Sequence, residues 1–153
     1  MKFVATEDIA APVEAAWARI ADFDRFEDRI GRRVEGLTRS PPGPVEIGTT
    51  WRARADVNGK VRAVEVALVR LDAPHAMVLE GGTEGLRVRI EAVLEPLGER
   101  RSRLTVATEA RARTLSARLL LQSAKLARAT MAKRYKARIA ALASELETAA
   151  RRA

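Results

Sequence analysis

The sequence predicts an α+β fold in which a curved antiparallel sheet of about six or seven strands wraps around one long C-terminal helix. Several segments between residues 34 and 112 alternate apolar and polar residues, which is the period of a strand with one buried face. Residues 114–149 contain no Pro or Gly and are rich in Ala, Leu, Arg and Lys, which favours one continuous helix. We expect the 153 residues to form one domain, 1–153.

The first residues predict a strand over 2–9 and then two short helices. Pro12 suits the first turn of a helix, because its missing N–H would be unpaired there. The apolar residues that follow have helical spacing: Val13, Ala16, Trp17 and Ile20 in the first helix, and Phe23, Phe26 and Ile30 in the second.

The remaining strands are predicted at residues 34–39, 49–57, 60–71, 77–80, 86–97 and 101–112. Asn58-Gly59 predicts a two-residue hairpin turn, because both turn positions favour positive φ. Gly81-Gly82 is expected to end the strand over 77–80.

Composition narrows the classes of function. Without cysteine the chain has no thiolate chemistry, and its single histidine, His75, excludes multi-histidine metal centres, so we expect no metal and no cofactor. The net charge of +8 raises nucleic acid as a partner. Arginines such as Arg52 and Arg89 share a strand face with glutamates, however, and we expect them to form ion pairs on a solvated surface, so nucleic acid is disfavoured. The absence of a signal-like or membrane-spanning segment predicts a cytoplasmic protein with no membrane span.

Short motifs in a fixed order resemble the START-like, or SRPBCC, helix-grip superfamily, and in particular its polyketide cyclase/dehydrase-like branch. The motifs are residues 9–17 (IAAPVEAAW), 20–23 (IADF), 48–51 (GTTW), 71–74 (LDAP) and 94–96 (LEP). The resemblance implies a cavity between the sheet and the long helix that holds a hydrophobic or aromatic small molecule. It implies no universal catalytic residue.

The inward faces of the predicted strands and helix supply the residues expected to bind that ligand. They are Trp51, Ala53, Ala55, Glu65, Met77, Leu79, Leu86, Val88, Ile90, Leu104, Val106, Thr108, Leu119, Ser123, Leu126 and Thr130. Their many small side chains favour an open cavity; the alternative is a core filled by the tryptophans and the helix leucines.

Glu65 is the only candidate for a catalytic acid or base. If Arg62 and Arg70 both point outward, Glu65 points inward among alanines, where burial would raise the pKa of its carboxyl. A bulge or the opposite register would instead place Glu65 in water and Val64, Val66 and Leu68 in the core.

The long helix carries two apolar stripes that do not share a face. Leu115, Leu119, Ser123, Leu126 and Thr130 form the first stripe, and Met131, Tyr135, Ile139, Leu142 and Leu146 form the second. Leu126 and Tyr135 are nine residues apart, which is 2.5 turns. Either the helix kinks, or its second half meets a surface other than that part of the sheet: the N-terminal helices, or a second subunit in a homodimer. We expect the first half to close the cavity.

These observations predict a small-molecule binding domain with an apolar pocket. One alternative is a cyclase or aromatase-type enzyme that uses a pocket carboxylate. A further alternative is a protein-interaction domain that uses the second half of the C-terminal helix.

Overall fold

A computed structural model of the chain describes residues 1–57 and 59–152. Its strands are β1 (Lys2–Ile9), β2 (Glu35–Ser40), β3 (Thr50–Val57), β4 (Lys60–Asp72), β5 (Ala76–Thr83), β6 (Leu86–Gly98) and β7 (Arg101–Ala112). Its helices are α1 (Val13–Ile20), α2 (Phe23–Gly31), α3 (Leu115–Lys125) and α4 (Arg128–Arg152). The α+β architecture, the two short helices after β1 and the strands confirm the prediction.

The strands form an antiparallel seven-stranded sheet in the order β1-β7-β6-β5-β4-β3-β2. Each neighbouring pair from β2 to β7 is consecutive in sequence, and β1 then closes onto β7. The helices lie on one face, called here the inner face, while arginines and glutamates cover the outer face. The predicted ion pairs are present there: Arg89 lies 3.3 Å from Glu80, and Arg103 lies 2.8 Å from Asp8.

One predicted strand end differs in the structure, and one predicted turn lies partly outside the described residues. The glycines at 81 and 82 do not end β5, which continues to Thr83. A Cβ at Gly81 would lie 2.0 Å from the main-chain oxygen of Glu65 on β4, so the close pairing of these strands requires glycine there. The predicted hairpin turn includes Asn58, which lies outside the described residues.

The prediction of one continuous C-terminal helix is wrong. Helix α3 ends at Lys125, and α4 begins at Arg128 after a tight turn in which the Leu126 and Ala127 N–H groups each bond three residues back. The first stripe lies before the break except for Leu126, which is in the turn, and Thr130, while the whole second stripe lies in α4. The break allows α4 to present its own stripe to the sheet without any constraint from the orientation of α3.

Helix α4 grips the sheet. It packs on β1 and on α1, and its residues Ile139, Ala143 and Leu146 are buried. The second stripe therefore makes its contacts within the chain, in agreement with the alternative in which it meets the N-terminal helices. It does not form a free interaction surface. The core below α1 and α4 also contains Ile9, Trp17, Leu68, Leu94 and Leu104.

The predicted inward face of β4 is wrong over most of its length. Val64 and Val66 lie on the inner face and Leu68 is buried, whereas Glu65 is exposed and its carboxylate lies 3.0 Å from Arg52 Nε. The cause is a β-bulge between Leu68 and Arg70, where β4 has one residue more than β5. The extra residue shifts the alternation of inward and outward side chains along β4 by one position. Arg62 and Arg70 therefore point to opposite faces of the sheet.

Among the described helices, none combines the length and the apolar character that crossing a lipid bilayer requires.

Candidate functional site

A first cavity lies between α2 and the middle of the inner face, and we call it the α2 cavity. Its volume is about 350 Å³. Phe23, Phe26 and Ile30 of α2 form one wall, and Leu142 of α4 contributes at the side. The sheet forms the floor through Trp51, Ala53, Val64, Val66, Met77, Leu79, Ile90, Ala92 and Val106. The surface is almost entirely aliphatic or aromatic, so it suits an apolar molecule.

A second cavity lies under α3, and we call it the α3 cavity. It has a volume of about 980 Å³ and is open to solvent. Leu120, Leu121 and Ala124 of α3 cover it, while Leu86 and Val88 of β6 form part of its floor. Several polar side chains also line it: Arg62, Thr83, Glu84, Thr108, Ser116, Ser123, Arg134, Tyr135 and Arg138.

The two cavities are neighbouring sections of the inner face. On β6, Leu86 and Val88 line the α3 cavity, Ile90 lines the α2 cavity, and Leu94 is buried in the core. The same order recurs on β7, where Thr108, Val106 and Leu104 follow one another at every second position. Each strand thus runs from an open polar end, through an apolar section, to a filled core.

A chain of hydrogen bonds joins β7 to α4 at the floor of the α3 cavity. The Tyr135 hydroxyl donates to the main-chain oxygen of Val106 at 3.0 Å. Its oxygen lies 3.0 Å from Thr108 Oγ1. Because Tyr135 has one hydroxyl hydrogen and donates it to Val106, Thr108 must donate to Tyr135. The lone pairs of Thr108 Oγ1 are then left to accept a hydrogen bond from a ligand.

Burial raises the pKa of the Tyr135 hydroxyl above its ordinary value, and the hydrogen bond with Thr108 partly offsets this effect. Tyr135 is therefore neutral at physiological pH. Its role in this geometry is to hold Thr108 in place, because its own hydrogen is already engaged.

Arg62 is the charged side chain of β4 that faces the α3 cavity. Its Nε is buried without a hydrogen-bond partner, and within residues 1–57 and 59–152 it forms no ion pair. Glu84 lines the same cavity but forms no ion pair with Arg62. A buried guanidinium nitrogen without a partner has lost its hydration, so an acidic or carbonyl oxygen of a ligand would be a favourable partner.

Helix α2 is held over its cavity by polar contacts of Glu27 and Arg29. Glu27 Oε1 accepts from Trp51 Nε1 at 2.7 Å and from Arg39 Nε at 2.5 Å. Glu145 of α4 accepts two hydrogen bonds from Arg29, the shorter of which is 2.7 Å. The Arg29 guanidinium lowers the pKa of the Glu145 carboxyl, against the opposing effect of burial. Glu27 and Glu145 are thus occupied as anchors.

The structure brings eleven of the sixteen predicted ligand-binding residues to a cavity wall. Trp51, Ala53, Met77, Leu79, Ile90 and Val106 line the α2 cavity, and Leu86, Val88, Thr108, Leu119 and Ser123 line the α3 cavity. Their contact with a ligand stays a prediction.

The other five residues lie elsewhere. Leu104 is buried in the core, and Ala55 lines neither cavity. Leu126 and Thr130 are exposed because the helix breaks between them, so only Leu119 and Ser123 of the first stripe reach the α3 cavity. Glu65 faces solvent with 54% of its side chain exposed, so the proposal that it acts as a buried acid or base is wrong.

The sequence reasoning missed the roles of Tyr135 and Arg62. The helical spacing of Phe23, Phe26 and Ile30 indicated that one face of α2 is apolar and turned toward the rest of the chain. It did not indicate that this face lines a cavity. No comparable signal marks Arg62, because its inward position depends on a bulge six residues away. Over the part of the chain that is described, no three His, Cys, Asp or Glu side chains gather as a metal site would require.

The sequence matches the model of one protein family over residues 1–147, and that family is described as polyketide cyclase / dehydrase and lipid transport. The chain belongs to this family. The predicted START-like relationship is thereby confirmed. No curated protein matches the chain by sequence.

Solved structures with the same fold include proteins from bacteria and from a plant. Zhui aromatase/cyclase from Streptomyces sp. R1128 is 18% identical, with a TM-score of 0.65 over 96% of this chain and 93% of that one. A protein from Thermus thermophilus is 19% identical, with a TM-score of 0.64 over 97% and 99%. Norcoclaurine synthase from Thalictrum flavum, in complex with dopamine and hydroxybenzaldehyde, is 15% identical, with a TM-score of 0.66 over 95% and 85%. At these identities the likeness extends to the fold of the cyclase/dehydrase and lipid transport family, not to a shared reaction.

Proposed function

We propose that this protein binds a hydrophobic or aromatic small molecule on the inner face of the sheet, across the α2 and α3 cavities. The observation that carries the proposal is the apolar α2 cavity, which stays open beside a fully packed core. Folding would ordinarily fill such a space with side chains, because apolar walls without contacts forfeit packing energy. An apolar ligand would restore those contacts.

The order of surfaces along the strands supports one orientation for the ligand. Its apolar body fits the α2 cavity, where Phe23 and Trp51 provide aromatic surfaces whose ring centres lie 5.7 Å apart. A polar end would then extend into the α3 cavity, toward the Thr108 hydroxyl and the Arg62 guanidinium. Affinity would come mainly from the apolar area removed from water, while the polar groups would fix the orientation.

This arrangement favours a binding module over a cyclase-type enzyme. The carboxylate offered for acid–base chemistry, Glu65, lies on the outer face, and Glu27 and Glu145 are each held by arginine. Thr108 and Tyr135 can hold a polar group, and among the described residues their side-chain hydrogen bonds go only to each other and to the main-chain oxygen of Val106. The family is described as polyketide cyclase / dehydrase and lipid transport, and one similar structure is an aromatase/cyclase. Aromatic ring systems are therefore among the ligands to test.

Native mass spectrometry of the purified protein tests the proposal. We expect a fraction of the wild-type protein to retain a small molecule, and the Ala53→Trp variant to retain less because the indole fills the α2 cavity. The matched control is Ala63→Trp, since Ala63 is exposed on β4 and lines neither cavity. If neither the retained molecule nor an added apolar compound binds to the wild type, or if both variants lose it equally, the proposal is wrong.

A further inference from the structure

Three leucines around α3 form an exposed apolar stripe. Leu115 is 73% exposed, Leu119 is 56% exposed and Leu126 is 93% exposed. Spacings of four and seven residues place all three on one side of the helix and its C-terminal cap. Single exposed leucines are ordinary, but a contiguous row marks a surface that contacts something apolar.

The stripe stays largely exposed because α3 uses mainly its opposite side to cover the α3 cavity. Leu115 and Leu126 do not line that cavity, and Leu119, which does, is still 56% exposed. Ala117, the one buried residue of α3, and Ala124 lie half a turn away from Leu115 and Leu119. Leu120 and Leu121 also turn toward the cavity. The helix is therefore apolar on two sides, and intramolecular contacts account for only one of them.

The charged residues of the segment that carries the stripe are all of one sign. From residue 110 to residue 144 the sequence contains nine Arg and Lys and no Asp or Glu. Arg118 and Lys125 lie beside the stripe on α3, while Arg113 and Arg128 lie at its two ends, and all four are exposed. In the described part of the chain none of these four side chains forms an ion pair.

We propose that the surface of Leu115, Leu119 and Leu126, with the flanking basic residues, docks onto an anionic lipid bilayer. Leucines that enter the boundary between headgroups and acyl chains, with cations at headgroup level, are the arrangement by which interfacial helices bind membranes. A second copy of the chain fits less well, because two such surfaces would bring like charges together. Nucleic acid fits less well because the centre of the surface is aliphatic and no aromatic side chain lies between residues 110 and 134.

The docked orientation has a consequence for the α3 cavity. Since α3 forms both the docking surface and the cover of that cavity, the cavity opening would lie close to the bilayer. This inference is independent of the proposed function, because the surface and its lipid partner do not require a ligand in either cavity.

Flotation of the full chain with vesicles tests the inference. Vesicles of equal parts phosphatidylserine and phosphatidylcholine should carry the protein upward, and vesicles of phosphatidylcholine alone should carry at least about tenfold less. Combining Leu115→Ser, Leu119→Ser and Leu126→Ser should lower binding by about tenfold or more while the protein stays folded, because all three side chains are exposed. The matched control combines Ile47→Ser, Val61→Ser and Leu97→Ser, which remove exposed apolar side chains elsewhere.

Charge is tested with Arg118→Gln combined with Lys125→Gln, which should weaken binding more than Arg87→Gln combined with Arg100→Gln, although each pair removes the same charge. A site-specific probe gives a second readout, because the chain has no cysteine. An environment-sensitive dye on Leu119→Cys should report an apolar surrounding when vesicles are added, and a dye on Leu97→Cys should not.

Three results would each overturn the inference. Vesicle binding that the leucine variants leave unchanged would show that general surface charge, not the stripe, is responsible. A solution dimer that the same variants dissociate would assign the stripe to a second copy of the chain. Binding of duplex DNA that depends on Arg118 and Lys125 but not on the leucines would assign the surface to nucleic acid.

Discussion

The hydroxyl of Tyr135 on α4 lies 3.0 Å from Thr108 Oγ1 on β7, so the gripping helix and the sheet are joined by a hydrogen bond inside the cavity they enclose. The same hydroxyl donates to the main-chain oxygen of Val106. The contact ties the position of α4 to the polar group best placed to meet a ligand.

The first prediction concerns the ionisation of Tyr135. Since burial raises the pKa of this hydroxyl, the folded state favours the neutral form, and the resulting stability is present below the ordinary pKa of 10.0 and lost as pH rises through the higher value. The chain has one tyrosine, so tyrosinate absorbance reports this group alone. The midpoint should lie above 10.0 in the folded protein and return toward 10.0 in denaturant. A folded-state midpoint at or below 10.0 would contradict the burial of this hydroxyl.

The second prediction separates the two halves of the C-terminal helix. Leu146→Ala should lower the free energy of unfolding by about 2–5 kcal/mol, because Leu146 is fully buried and its removal leaves a cavity. Leu126→Ala makes the same chemical change at an exposed position and should alter the free energy by no more than about 0.5 kcal/mol. Denaturant unfolding measures both. Equal losses would show that the two leucines are buried alike and that α4 alone does not grip the sheet.

The third prediction concerns the acid sensitivity of the α2 anchor. The Arg29 guanidinium lowers the pKa of Glu145, so the stability it contributes is present above the ordinary value of 4.5 and lost as pH falls through the lower folded value. Glu145→Gln should cost about 1–2 kcal/mol at neutral pH, since it weakens hydrogen bonds to a partly buried charge. It should also flatten the acid branch of the stability profile. An unchanged acid branch would show that other carboxyls dominate it.

The fourth prediction distinguishes Arg62 from Glu65. Anilinonaphthalene sulfonate has an apolar aromatic body and an anionic end, so it can occupy both cavities. Arg62→Gln should weaken its binding by about tenfold, which is the effect of one charge-assisted hydrogen bond. Glu65→Gln should leave its binding unchanged, because Glu65 lies on the outer face. Fluorescence titration measures the binding of both variants. A larger loss of binding in Glu65→Gln than in Arg62→Gln would indicate that Glu65, and not Arg62, points inward.

The strands and short helices could be predicted from the sequence because their signals are local. The alternation of apolar and polar residues, as in Trp51 and Arg52, follows from the pleat of a single strand. The spacing of the apolar residues from Phe23 to Ile30 follows from the pitch of a single helix. The order of family motifs added the arrangement of these elements. None of these signals depends on where a neighbouring strand lies.

Which side chains of β4 point inward could not be predicted in the same way, because a bulge is a property of a pair of strands. Arg62 and Arg70 are eight residues apart and would share a face in a regular strand. The extra residue between Leu68 and Arg70 is visible only once β4 is paired with β5. The two candidate polar groups, Glu65 and Arg62, therefore exchanged positions relative to the prediction.

The break between α3 and α4 was signalled only indirectly. Residues 114–149 lack Pro and Gly, so propensity favours one helix. The opposite faces of Leu126 and Tyr135 show the conflict, and the structure resolves it with a turn at residues 126 and 127. Which of the two stripes would reach the sheet depended on packing that no local pattern describes.

The central claim is that an apolar molecule binds on the inner face of the sheet. An NMR titration of isotope-labelled protein with anilinonaphthalene sulfonate tests it most directly, because each backbone amide reports its own surroundings. We expect shifts concentrated at the cavity-lining Trp51, Ala53, Val106 and Thr108, with the amides of Leu115 and Leu126 changed little. Shifts confined to those two leucines, or the absence of any saturable shift on the inner face, would contradict the claim.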